Sequence, residues 1–108
     1  MYKLTLAEEI VLTAILRLQD NAYGVTIRKK IADVTKSDVS YGILYNLLGQ
    51  LVRKGYVLKK SGQPTPERGG RSRMYYTFTE TGLKALEEAR ELHRSLWEGI
   101  PEIITVDS

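Results

Sequence analysis

Cysteine is absent from the 108 residues of this chain. No disulfide can therefore staple the fold, and no thiolate can serve as nucleophile or metal ligand. Histidine occurs once, as His93, and a lone imidazole without cysteine partners cannot assemble a transition-metal site. Long apolar runs are also missing. The longest stretches are far too short to span a bilayer, and Glu8 and Glu9 interrupt any secretory core near the N-terminus. No glycine loop leads from a strand into a helix in the manner of a nucleotide-binding turn. Glu87, Glu88 and Glu91 are spaced as a solvated helical face rather than as paired catalytic carboxylates. These absences predict a cytoplasmic protein that is not an enzyme, uses no cofactor or metal and has no membrane partner.

What is present is an ordinary globular composition, 43% hydrophobic and 27% charged, enough for one modest core. The net charge is only +3, but it is unevenly placed. Residues 1–58 carry a balance of +3, residues 59–79 of +4, and residues 80–108 of −4. A basic middle followed by an acidic end suggests one surface that meets a polyanion and a last element with another task.

The stretch LTLAEEIVLTAILRLQ opens with Thr5 and Glu8 at capping-box spacing. Ala7, Ile10, Val11, Ala14, Ile15 and Leu18 follow at helical spacing and predict the first buried stripe. After a turn at QDNAYG, Ile27, Ile31 and Val34 mark a second, shorter helix with Arg28, Lys29 and Lys30 on its other faces. A third helix starts at Ser40 as N-cap and runs to Gly55, which suits the left-handed position after a helix. Its buried stripe is expected at Leu44, Leu47, Leu48 and Leu51, with Ile43 and Val52 at the margins.

The opposite face of this helix holds Gly42, Tyr45, Asn46, Gly49, Gln50 and Arg53. An ordinary solvated face would be filled with Glu, Lys and Ala. This one has no acid, and its two glycines each cost roughly 1 kcal/mol relative to alanine. That composition suits a face approached closely by something carrying hydrogen-bonding edges. Two strands are predicted at 56–60 and 74–79, joined by SGQPTPERGGRSR. The result is a hairpin with a long basic tip bearing Arg68, Arg71 and Arg73. Thr79 then caps a last helix of about 18 residues that ends before Gly99 and Pro101. Its apolar residues form a band wider than a small three-helix domain needs to bury.

The expected fold is mainly α with a small β-hairpin: a winged helix-turn-helix over residues 1–79, followed by a C-terminal dimerisation helix and short tail over 80–108. The major groove of B-DNA, about 12 Å wide, admits one α-helix, and a basic hairpin can reach the neighbouring phosphates. Double-stranded DNA is thus the expected partner. Ser40, Gly42, Tyr45, Asn46, Gly49, Gln50, Arg53, Arg68, Arg71 and Arg73 are the candidate DNA-binding residues. Folds of this type can also bind proteins, so a winged-helix interaction module without specific DNA binding is the alternative, and a nucleic-acid-processing enzyme is a remote third.

YGILYNLLGQLVRKGYV and ERGGRSRMYYTFTETGLKAL resemble the recognition helix and the wing of the PadR family of transcription regulators, and AYGVTIRKKI resembles that family's second helix. One position departs from the pattern, since Asn46 stands where proline or a basic residue is common. The resemblance implies a homodimeric repressor with its last helix swapped against the partner's first. It also implies a compact subgroup with a single C-terminal helix, some members of which sense planar hydrophobic drugs at the dimer interface. Leu86, Ala89, Leu92, Leu96 and Trp97 are the candidate dimer interface. Trp97 is either an interface anchor or one wall of an effector site for a small planar hydrophobic ligand.

Overall fold

The structure, a computed structural model, describes residues 4–64 and 72–101. The predicted tips of the wing and tail, 65–71 and 102–108, lie outside the described residues. Helix α1 spans Leu6–Leu18, a 3-10 turn spans Gln19–Asn21, α2 spans Gly24–Thr35 and α3 spans Tyr41–Arg53. Strands β1 (Val57–Pro64) and β2 (Ser72–Phe78) precede α4 (Glu80–Trp97). Three helices, a hairpin and a fourth helix give the winged helix-turn-helix order expected from the sequence.

The helix starts form where the sequence places them, because each depends on a local hydrogen bond. Thr5 Oγ1 accepts from Glu8 N (3.1 Å) while Glu8 Oε1 accepts from Thr5 N (2.9 Å), a closed capping box. Ser40 Oγ accepts from Ile43 N (3.1 Å) and Thr79 Oγ1 from Gly82 N (3.0 Å). Gly55 ends the third helix with φ +78°, a region where a Cβ would be strained.

The buried stripe of α1 differs from the expected one. Ala7 is exposed, whereas Glu8 and Leu12 are buried beside Val11, Ala14 and Ile15. The helix is rotated because the capping carboxylate points inward, where Lys54 Nζ meets Glu8 Oε1 at 2.8 Å. Val34 and Ile43, expected at or near the core, are exposed. The core itself joins Leu12, Ile15, Ile27, Leu44, Leu48, Leu51 and Val57.

The strands run longer than predicted. They pair antiparallel from Val57↔Phe78 to Ser61↔Met74, with an irregularity before Pro64↔Ser72. Tyr75 lies over Gly62, where any Cβ would collide with its ring, so the ladder passes a glycine that reads as a loop signal. A third, two-residue edge joins the hairpin: Tyr23 bridges Tyr75, and Tyr76 N donates to Ala22 O (2.9 Å). The wing is thereby tied to the start of α2.

Helix α4 is fastened to the corner after α3. Thr79 Oγ1 donates to Gly55 O (2.7 Å), Thr79 N donates to Tyr56 O (3.0 Å), and Gly82 packs so tightly on the Tyr56 backbone that no side chain fits there. Gly82, Ala85 and Ala89 form its buried face. Ala89 is only 1% exposed in the single chain, so it packs within its own chain. Small residues let the first part of α4 lie close to its own chain, so the exposed apolar residues begin beyond Ala89.

Burial alone would raise the Glu8 carboxyl, but the Lys54 ammonium and the Thr5 donors outweigh it and hold it below the ordinary value near 4.5. A carboxylate lowered in the folded state stabilises fully above its unfolded value, and that contribution is lost as pH falls through the lower folded value. Lys54→Met should therefore cost about 1.5 kcal/mol at neutral pH, the lower end for a charged hydrogen bond because Lys54 is partly exposed. In urea unfolding the gap between parent and variant should close as the pH drops well below 4.5. A gap independent of pH would contradict this account.

Candidate nucleic-acid interface

The outer face of α3 follows from the cap at its start and the leucines beneath it. With Leu44, Leu48 and Leu51 buried, Gly42, Tyr45, Asn46 and Arg53 are exposed and Gly49 and Gln50 are half-buried on the other side. Around Gly42 a Cβ would find nothing nearer than Ser40 Oγ at 4.0 Å, and at Gly49 its nearest neighbour would be Arg53 Nη1 at 3.4 Å. Neither glycine is required by the chain's own packing, so each leaves the helix surface low for whatever approaches from outside. Ser40 spends its side-chain oxygen as the N-cap, and its first role is to fix the start of this face.

Tyr45 behaves differently from its neighbours on the face. Its hydroxyl end occupies the space where a Cβ of Gly24 would be, so the ring leans across onto the first turn of α2. Tyr41 stacks on it with centroids 6.2 Å apart and planes at 23°.

The wing presents Arg73 beside this face. Its guanidinium carbon lies 4.4 Å from the centroid of the Tyr23 ring, and Tyr23 meets Tyr75 edge-on at 5.4 Å. A hydrogen bond with Tyr75, followed by the nearby Tyr23 hydroxyl, holds Arg73 still more firmly protonated. Burial, then the neighbouring Tyr45 phenol, push the Tyr76 hydroxyl up. Arg73, Lys59, Tyr23, Tyr45 and Tyr76 share a cleft of about 450 Å³ at the N-terminus of α2, with no acid among its lining residues. Arg68 and Arg71 lie outside the described residues.

The structure thus brings Arg73 next to the α3 face, and it adds Tyr23 and Lys59, which the sequence reading passed over. The AYG triplet ahead of α2 was the available signal for Tyr23. For Lys59 the signal was strand alternation: it pairs with Tyr76 across the hairpin, which puts the two side chains on one face.

A second surface lies at the far end. Leu92, Leu96 and Trp97 are 39%, 60% and 59% exposed, and Ile100 follows them. Between α1 and α4 a groove of about 330 Å³ is lined by Leu16, Leu83, Leu86 and Arg90 among others. At its edge His93 Nε2 lies 3.2 Å from Glu9 Oε1. Leu86 is half-buried against the core. Among the described residues no group of His, Asp and Glu could hold a metal ion, and no helix is long and apolar enough to cross a membrane.

A family model described as the transcriptional regulator PadR-like family matches residues 11–88. Among solved structures, RosR of H. salinarum is similar at 27% identity over 90% of this chain and 80% of that one, with a TM-score of 0.69. A PadR-like transcription factor from Bacteroides fragilis is similar at 24% identity over 91% and 89%, with a TM-score of 0.74. A winged-helix DNA-binding protein from STIV shares the fold at 20% identity over 90% and 97%, with a TM-score of 0.69. No curated protein sequence matches.

Tyr23→Ala removes both the cation contact with Arg73 and the edge contact with Tyr75. It should destabilise the wing by about 1–2 kcal/mol. Hydrogen exchange should speed up at the Tyr76 amide, which bonds Ala22 O, and stay unchanged in the middle of α1. Exchange unchanged at Tyr76 would mean that the strand ladder alone holds the wing.

Proposed function

The chain belongs to the PadR-like family of transcriptional regulators, and from that premise we propose that it is a homodimeric repressor that binds an inverted repeat in double-stranded DNA. The observation that carries this reading is the acid-free outer face of α3, flanked by Arg73 and Lys59 of the wing. Residues 1–79 act as the DNA-binding unit and 80–108 as the dimerisation unit.

In this reading α3 enters the major groove with Gly42 and Gly49 letting the helix backbone approach. Asn46 and Gln50 each offer the donor and acceptor pair that reads adenine, and Arg53 reaches a phosphate. Ser40 sets the helix start, and Tyr45 stands at the edge of the face. Arg68, Arg71 and Arg73 neutralise phosphates along the neighbouring backbone. Each phosphate contact removed lowers the magnitude of the salt slope by about 0.9. Arg73→Ala should therefore weaken binding to every duplex alike, whereas Asn46→Ala or Gln50→Ala should relax the preference at individual base pairs by about 1–3 kcal/mol. Binding measured across salt concentrations, on operator and random DNA, checks both. Duplex binding without salt dependence would favour the protein-interaction reading instead.

Leu92, Leu96 and Trp97, with Leu86 at the margin, supply the dimer contact, since an isolated monomer would leave this apolar end in water. Two-fold symmetry then places the recognition helices about 34–36 Å apart, one turn of duplex. Trp97 anchors that contact. Where two such rings flank a cavity they would also stack a planar hydrophobic cation. Such a ligand relieves repression only if it favours the DNA-incompetent dimer over the competent one. Light scattering at micromolar concentration should report a dimer, and Leu96→Glu should give monomers with weakened operator binding. A monomeric parent overturns the dimer. Tryptophan fluorescence unmoved by planar cationic dyes leaves Trp97 as an anchor alone.

A further inference from the structure

Two residues of α2 and two of α3 form a continuous side-chain ladder across the outer side of their crossing. Arg28 Nε donates to Val39 O at 2.6 Å, and its guanidinium carbon lies 4.8 Å from the centroid of the Tyr41 ring. Tyr41 stacks on Tyr45, and Tyr45 fills the space left by Gly24. Gly24 and Arg28 are four residues apart, as are Tyr41 and Tyr45, so both pairs are neighbours along one helix face. The inner side of the same crossing is held by Ile27, Ile31, Leu44 and Leu48. Packing of such side chains into ridges and grooves still leaves a scatter of about 15–20° in the crossing angle. The ladder supplies direction, and the Val39 carbonyl lies immediately before the Ser40 cap.

We propose that the Arg28–Tyr41–Tyr45–Gly24 ladder is a lock that sets the angle and register of α3 in the groove. Arg28, Tyr41 and Tyr45 are then positioning residues for base recognition, and Gly24 is the slot that receives Tyr45. This inference rests on the reading that α3 recognises DNA. Arg28 looks like a surface cation available for phosphate, but its Nε is committed to a carbonyl and its plane to a ring. Tyr45 stands on the groove-facing side and leans away from it.

Gly24→Ala tests the lock with a single methyl group. The added carbon would overlap the hydroxyl end of Tyr45, and because Tyr45 is 49% exposed its ring can swing out while the backbones stay in place. Backbone amides and charges are unchanged. An operator is first selected from genomic fragments with the parent protein. For Gly24→Ala, operator affinity should fall about tenfold, the cost of one misread base pair, with random-DNA affinity and the salt slope unaltered. In a Tyr45→Ala background the same methyl should have no further effect. Arg28→Gln should reproduce the loss of specificity at an unchanged slope, and it carries the test should Gly24→Ala fail to fold by circular dichroism.

Full operator affinity in both variants overturns the lock, and so does an equal loss on operator and random DNA. A slope reduced by about 0.9 in Arg28→Gln makes Arg28 a phosphate contact and overturns it as well. A parent protein with no preferred sequence ends the underlying reading and the lock with it. A parent with a clear preference that the variants keep overturns the lock alone.

Discussion

A glutamate buried to 1% exposure holds the beginning of this fold to its middle. Glu8 closes the cap of α1 and receives the ammonium of Lys54, the residue that ends α3. A buried carboxylate without partners would be severely penalised. Here it is satisfied twice, by a backbone donor from its own helix and by a cation from another. The next two residues carry the constraint onward. Gly55 turns the chain with a positive φ, its carbonyl accepts from Thr79, and the Tyr56 backbone receives both Thr79 N and the close packing of Gly82. Helix α3, the wing and α4 all meet at this corner, so its geometry sets theirs.

The candidate interface is asymmetric about α3. On one side Gln50 and Asn46 stand beside glycines with no intrachain partner that demands them. On the other, Tyr41 and Tyr45 are engaged with α2, and the wing is fastened to α2 through Tyr23. Aromatic rings lose little conformational freedom when they pack, so contacts of this kind hold surface elements at low entropic cost. A helix that reads base edges must be held within a narrow range of angles, because hydrogen-bond strength falls steeply with misalignment. If α3 reads bases as proposed, the packed side supplies the constraint that the polar side requires.

Features set by near neighbours in sequence were legible in it. The Thr5–Glu8 box, the Ser40 and Thr79 caps, the turn at Gly55 and the full length of α4 all depend on residues within four positions. What escaped depends on distant partners. Glu8 reads only as a cap residue until Lys54, 46 residues later, is brought to it, and with Glu8 turned inward Leu12 is buried beside it. Ala22 and Tyr23 are too short a segment to announce a strand, yet the hairpin recruits them. Tyr45 sits at the right spacing for the outer face, and only the absent Cβ of Gly24 reveals where its ring goes.

The division of α4 follows from side-chain size along one helix. Gly82, Ala85 and Ala89 recur at spacings of three and four, and their small volumes let the helix lie against its own chain. From Leu92 onward the residues on the apolar side become large while the chain's own core has ended, so Leu96 and Trp97 project with more than half of their surface in water. A helix that served only to finish this core could stop after Ala89. Its last two turns keep an apolar face in an otherwise acidic segment, where charge would solvate a free end more easily. The small half therefore fixes the angle at which the large half leaves the domain. Through the Thr79–Gly55 corner that same angle is tied to the end of α3, so in the proposed dimer a change in how the projecting halves meet would be transmitted to the spacing of the two α3 helices.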